Sequence, residues 1–129
     1  MRLRMELFVD DLDASIAFYT TLLGFQVDRS TSGYASLRRG QVVLGLGLAA
    51  NLSEHDASGP GPAWGRLDRP RGTGVEIVLE LEHIDDLSAL HEQCRSRVTE
   101  PLRLQPWGLH DFRLPDPDGY YIRVTHADA

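Results

Sequence analysis

Trp64 and Trp107 are the residues whose types most directly suggest recognition chemistry, because large rigid indole faces can stack on a planar ligand. Packing is the alternative for each. Trp107 could plug a sheet end, whereas Trp64 lies in a Gly- and Pro-rich stretch where packing explains an indole less well. Of the five histidines, His55, His83, His91, His110 and His126, none stands at a recognisable metal spacing. Of these only His110, which follows Trp107 closely, lies beside the suspected cleft, where it is a candidate general base. No Ser, His and Asp set can be assembled, and the glycines of Gly45-Leu46-Gly47-Leu48-Ala49 lie inside a strand-like run, which favours close backbone packing over phosphate binding. Near the N-terminus Arg4, Glu6 and Phe8 share one strand face, an oddly polar one, while Met5, Leu7 and Val9 share the other.

The elements that must carry these residues fall into two copies of one pattern. A strand over Arg4–Val9 precedes a helix capped by Asp11 or Asp13, with Leu12, Ile16, Tyr19 and Leu23 at helical spacing and Gly24 as its stop. Three short strands follow, Phe25–Arg29, Tyr34–Leu37 and Val42–Leu48, with Ser32-Gly33 and Arg39-Gly40 at the turns. Residues 49–73 lack sustained periodicity and read as a linker that doubles as a flap. From about residue 74 the strand and helix return, capped by Asp85 or Asp86, with Ile84, Leu87, Leu90 and Cys94 expected inward.

A shift of 72 positions (76 − 4) superimposes Arg4 on Glu76, Leu7 on Leu79, Val9 on Leu81, Asp13 on Asp85 and Ala17 on Ala89. A shift of 79 (119 − 40) superimposes Gly40 on Gly119 near the end of each half. The chain therefore reads as an α+β protein of two βαβββ modules with pseudo-twofold pairing, one over about 1–48 and one over about 74–129.

Composition removes several function classes. With 129 residues and 42% hydrophobic content there is material for one domain-sized core and no more. A net charge of -6, with every basic residue an Arg and no basic run, speaks against nucleic acid as a partner. No apolar stretch approaches the roughly 18 residues a membrane span needs, and no secretion signal is visible, so no membrane partner and a cytoplasmic location are expected. Cys94 is the single cysteine, which suits a reducing compartment and a buried structural role.

Two segments, VDDLDASIAFYTTLLGF and DPDGYYIRV, resemble the first strand-helix unit and the C-terminal turn and strand of the vicinal-oxygen-chelate superfamily. That superfamily includes glyoxalase I, extradiol dioxygenases, fosfomycin-inactivating enzymes and bleomycin-resistance proteins. The resemblance implies metal-ligand positions at Arg4, Leu44, Glu76 and Arg123. Guanidinium groups stay protonated and cannot ligate a cation, so only Glu76 remains as a plausible ligand and no metal or other cofactor is expected. Arg4, Glu76 and Arg123 would form a charge-paired replacement of the metal site, with the carboxylate between two forks, or else only strand-face salt bridges.

Strand parity further places Phe8, Val42, Leu44, Val78 and Tyr121 in the cups that such sheets form, together with the charges of Glu6 and Glu80. The stretch Gln105-Pro106-Trp107-Gly108-Leu109-His110-Asp111-Phe112-Arg113-Leu114 resembles the bleomycin-resistance branch, whose members sequester drugs at the clefts of a homodimer. The resemblance thus implies a small-molecule antibiotic as partner, a homodimer, and ligand contacts from Arg4, Phe8, Leu44, Trp64, Glu76, Trp107, His110, Phe112, Tyr121 and Arg123. A vicinal-oxygen-chelate enzyme with a non-standard site, including a metal-free isomerase with Glu76 as base, is the alternative. An accessory domain that only dimerises is a third.

Overall fold

The computed structural model describes residues 1–52 and 67–127, so Trp64 and His55 lie outside the described residues. Two compact units divide the chain, Met1–Arg69 and Pro70–Ala129. Each holds one four-stranded mixed sheet with a helix on one face, in the order strand, helix, strand, strand, strand.

In the first unit β1 (Met5–Val9) lies parallel to β4 (Val42–Leu48), which pairs antiparallel with β3 (Tyr34–Arg39), and β3 with β2 (Gln26–Ser30). Helix α1 (Leu12–Ala17) starts at Asp11, whose side chain accepts a hydrogen bond from the Ala14 N–H at 3.0 Å. It then widens into a π-turn over Phe18–Leu22. The wider turn brings the adjacent residues Phe18 and Tyr19 both into the core, beyond the Tyr19 that the helical spacing indicates, and leaves Ile16 only half-buried. Tyr19 then meets Phe18 and Phe25 edge to face, with ring centroids 5.0 and 5.8 Å apart.

The second unit repeats the plan with β5 (Glu76–Leu81) parallel to β8 (Tyr121–His126), β8 antiparallel to β7 (His110–Pro115), and β7 to β6 (Glu100–Leu104). Helix α2 spans Ile84–Cys94, and its N-cap is His83, with Asp85 and Asp86 inside the first turn. The expectation of an aspartate cap is corrected here: His83 holds the position that Asp11 holds in the first unit, and it makes no side-chain cap bond. Leu87, Leu90 and Cys94 point inward as expected, but Ile84, the first residue of the helix, is 46% exposed. Their partners under the helix are Leu79, Phe112, Leu114, Ile122 and Val124, all buried.

One corner of the second unit is tied down firmly. The Arg71 guanidinium donates to Asp118 Oδ1 at 2.5 Å and the Arg71 N–H donates to the Asp118 carbonyl at 3.1 Å, both side chains being almost fully buried. Asp116 Oδ1 accepts the N–H groups of Asp118 and Tyr120, each at 2.9 Å, and so shapes the turn. Gly119 has φ of +88°, and a Cβ there would fall 2.6 Å from Pro70 Cβ. No other residue type meets both demands, which is the local reason for Gly in the DPDG turn.

Candidate functional site

The sheet of the second unit presents its helix-free face through alternate residues of every strand. Register places Glu76 beside Tyr121 and Pro115, and Val78 beside Arg123 and Arg113. Asp111 lies beside Thr125 on the same face. This face carries a ladder of alternating charge. Glu100 Oε2 accepts from Arg113 Nη1 at 2.9 Å, and Arg113 Nε donates to Glu76 Oε2 at 3.1 Å. Glu76 Oε1 stands 3.0 Å from Arg123 Nε, and Arg123 Nη1 stands 3.7 Å from Asp111 Oδ2. The far end is buried, since Asp111 is 1% exposed and takes a hydrogen bond on Oδ1 from Gln105 Nε2 at 2.7 Å.

Burial alone would lower the pKa of Arg113, but the hydrogen bonds to Glu76 and Glu100 and the nearby Asp111 charge outweigh it, so the net shift is upward. Arg113 is therefore a fixed cation at the centre of the ladder.

Beside the ladder a cleft of about 700 Å³ is lined by Glu76, Arg103, Gln105, Trp107, Arg113 and Tyr121, among others. Trp107 is 55% exposed and lies with the Arg123 guanidinium carbon 5.9 Å from its ring centroid. Glu76 and Tyr121 also line a second, more apolar groove of about 400 Å³ against Pro70–Val75. Burial, and then the Glu100 charge, raise the Tyr121 pKa above its ordinary value.

Glu76 was expected between the forks of Arg4 and Arg123, and this requires correction, since the two arginines that face it are Arg113 and Arg123. Arg4 instead donates to Glu6 Oε1 at 3.2 Å and to the Tyr34 hydroxyl at 2.8 Å within its own unit. There the Tyr34 hydroxyl also donates to Glu6, and the Glu6 carboxylate lies over Gly45, where a Cβ would clash. Phe8 in turn lies over Gly47. The glycines of this strand thus make room for Glu6 and Phe8, a specific form of the close packing expected from the sequence.

Leu44 requires correction. Met5 pairs with Leu44 while Ile77 pairs with Ile122, so Leu44 answers to Ile122 and Gly45 answers to Arg123. The turn from β7 to β8 is longer than the turn from β3 to β4, so matching Gly40 to Gly119 aligns the turns and misaligns the strands by one. Leu44 is 1% exposed on the helix-covered face, and Val42 shares its parity. Phe112 is likewise fully buried on the helix side, 5.1 Å from the His91 ring, and does not line the cleft. His110 has the parity of Phe112, and its N–H donates to His126 Nε2 at 3.1 Å.

Trp107, Glu76, Tyr121 and Arg123 are brought together in this unit. Asp111, Arg113, Glu100 and Arg103 are functional candidates that the sequence reading did not single out. The alternation His110-Asp111-Phe112-Arg113-Leu114, charged on one parity and buried on the other, is the signal that identifies the first two.

The four family ligand positions, with the corrected register, hold Arg4, Gly45, Glu76 and Arg123. This donor set does not fit a divalent cation: two positions carry protonated guanidinium groups, one has no side chain, and Glu76 is already faced by two arginines. Among the described residues no group of three His, Cys, Asp or Glu side chains could hold a metal ion.

The chain belongs to the glyoxalase/bleomycin resistance protein/dioxygenase superfamily, whose family model matches residues 3–124. A search of curated proteins finds no match. Among solved structures, a bleomycin resistance determinant encoded on transposon Tn5 is similar over 100% of this chain and 99% of its own, at 25% identity and a TM-score of 0.69. A glyoxalase-related enzyme from Fulvimarina pelagi matches over 98% of this chain and 88% of its own, at 19% identity and a TM-score of 0.78. Lactoylglutathione lyase from Agrobacterium tumefaciens matches over 98% and 93%, at 18% identity and a TM-score of 0.76. The last two likenesses show the fold alone.

Proposed function

We propose that this protein binds a small-molecule antibiotic in the cleft beside Trp107 and protects by sequestration, with neither metal nor turnover. The observation that carries this reading is the state of Glu76, the one plausible ligand among the family positions, whose two oxygens face Arg113 and Arg123 at 3.1 and 3.0 Å. A carboxylate held in that way is spent on structure. It is poorly placed to ligate a cation or to take a substrate proton as a general base, so both enzymatic alternatives lose their central residue. What the cleft does offer is an exposed indole, a phenol and uncommitted polar groups, which suit reversible capture of a planar molecule.

The similarity to a bleomycin resistance determinant over the full chain supports the same reading. A flat polycycle, of the anthraquinone-fused enediyne or mitomycin type, suits Trp107 and Tyr121 better than a bleomycin-like glycopeptide does. Exposure of Val75, Val78, Leu104, Trp107 and Tyr121 supports a homodimer, since apolar surface of this kind calls for cover. We place the protein in the cytoplasm, in keeping with a sequence whose single cysteine, Cys94, is buried. No helix among the described residues is long and apolar enough to cross a membrane.

Elemental analysis of purified protein tests the metal-free part of the proposal. The expected result is far less than one equivalent of zinc, nickel, iron or manganese. One equivalent that survives gel filtration and disappears in Glu76→Ala contradicts it.

A further inference from the structure

Trp107 is exposed, yet the loop that carries it is closely tied. Residues 105–109 join β6 to β7 and are closed by two backbone hydrogen bonds. The Gly108 N–H donates to the Gln105 carbonyl at 3.0 Å, and the Gln105 N–H donates to the Leu109 carbonyl at 2.8 Å. Pro106 fixes its own φ at the second position of this turn, and Gly108 takes a φ of +95° that other residue types rarely adopt. The backbone on both sides of Trp107 therefore has little choice of conformation.

Side chains tie the two feet of the loop to the sheet. At the first foot Gln105 is buried, and its Nε2 donates at 2.7 Å to Oδ1 of Asp111, which is buried as well. Breaking that bond would leave two polar groups unpaired in the interior, so it resists opening. At the second foot both backbone groups of His110 are taken by side chains of β8. The His110 N–H donates to His126 Nε2 at 3.1 Å, and the Thr125 hydroxyl donates to the His110 carbonyl at 2.8 Å. The indole itself is a member of none of these bonds. It is 55% exposed at the cleft, with the Arg123 guanidinium carbon over its ring at 5.9 Å from the centroid.

From these ties we infer that Gln105, Gly108 and His126 are positioning residues, which hold the Trp107 indole in its ligand-binding orientation in the free protein. The inference rests on the binding reading above and assigns how its site is prepared. A large aromatic side chain on a loose turn would have to be ordered by each ligand that stacks on it, and that cost weakens binding several-fold. An indole already fixed by its backbone and by buried bonds at both feet of its loop removes the cost.

Two measurements test it, the first without any ligand. In a Trp64→Phe background Trp107 is the single tryptophan, so time-resolved fluorescence anisotropy reports the motion of its indole alone. The indole should turn with the whole protein, and Gln105→Met and Gly108→Ala should each add a fast local component. A Cβ at position 108 would meet nothing within 4 Å, so Gly108→Ala disturbs only the backbone and keeps the test open where Gln105→Met fails to fold. The second measurement is calorimetric titration of 2-(hydroxymethyl)anthraquinone at a temperature where every variant is folded. Both loop variants should bind it roughly three- to tenfold more weakly. Leu87→Ala, a buried packing change in α2, should lower the unfolding temperature and leave both indole motion and affinity as they are. Fast indole motion in the otherwise unchanged protein, or equal loosening in Leu87→Ala, overturns the positioning role and leaves the binding reading standing. Unchanged affinity in both loop variants does the same when Trp107→Ala weakens the probe. Undiminished affinity in Trp107→Ala overturns the binding reading, and with it the purpose of the ties. If this probe does not bind, the anisotropy result alone supports or overturns the positioning role.

Discussion

Arg113 and Glu76 meet at 3.1 Å across the second sheet although they stand 37 residues apart in sequence. Their contact is what converts a family ligand position into a structural anchor. Arg113 is 14% exposed at its side chain and serves Glu100 and Glu76 together, so its loss leaves two carboxylates facing each other and Asp111 without one of its cations.

Arg113→Met should therefore destabilise the protein by about 1–3 kcal/mol, less than a fully buried pair because Glu76 and Glu100 are partly hydrated. Glu100→Gln, at a half-exposed position, should cost under about 1 kcal/mol. Urea unfolding of the three proteins checks the order. Equal stability of Arg113→Met and wild type would mean the ladder is only a surface network.

Phe112 and Trp107 separate packing from binding. Phe112→Ala should cost about 3–5 kcal/mol, since the ring is fully buried against α2. Trp107→Ala, at an exposed position, should change stability by less than about 1 kcal/mol and weaken ligand binding at least roughly tenfold. Thermal unfolding alongside a ligand titration reads both effects. A Trp107→Ala protein that unfolds early would return the indole to a packing role.

Alkaline pH should reveal the shifted phenols of Tyr34 and Tyr121. The Tyr34 pKa is raised from 10.0 by burial and then by its hydrogen bond to Glu6, and that of Tyr121 by burial and then by the Glu100 charge. Both folded-state values exceed the unfolded one, so the folded state retains protons that the unfolded state releases. Stability is unaffected below about pH 10 and falls as the pH rises beyond it. Tyr34→Phe should flatten part of that fall. Urea midpoints measured at about pH 9 and about pH 11 decide the sign, and a rise across that interval would contradict it.

Much of the fold is legible in the residues, for specific reasons. The period-2 pattern of Met5, Leu7 and Val9 and the repeat of Leu79 and Leu81 define equivalent strands, and burial follows the expected parity at Leu7 and Val9. The site was less legible because it depends on cross-strand register. Matching the last strands by their turns sets Leu44, and not Gly45, against Arg123, a one-residue slip that exchanges the open face for the core. The role of Arg113 is hidden from the sequence for a related reason. Its partner Glu76 is on a strand that it reaches only across β8, and no local spacing announces such a contact.

The most direct test of the account is the fate of an antibiotic offered in excess to the purified protein. Anthraquinone-fused, mitomycin-like and bleomycin-like compounds would be titrated by calorimetry, then recovered after denaturation and weighed by mass spectrometry. The account predicts saturable binding of a planar compound, at no more than one molecule per cleft, and recovery of all of it unchanged in mass. Conversion of more compound than there are protein chains, or wild-type affinity in Trp107→Ala, would contradict sequestration in this cleft.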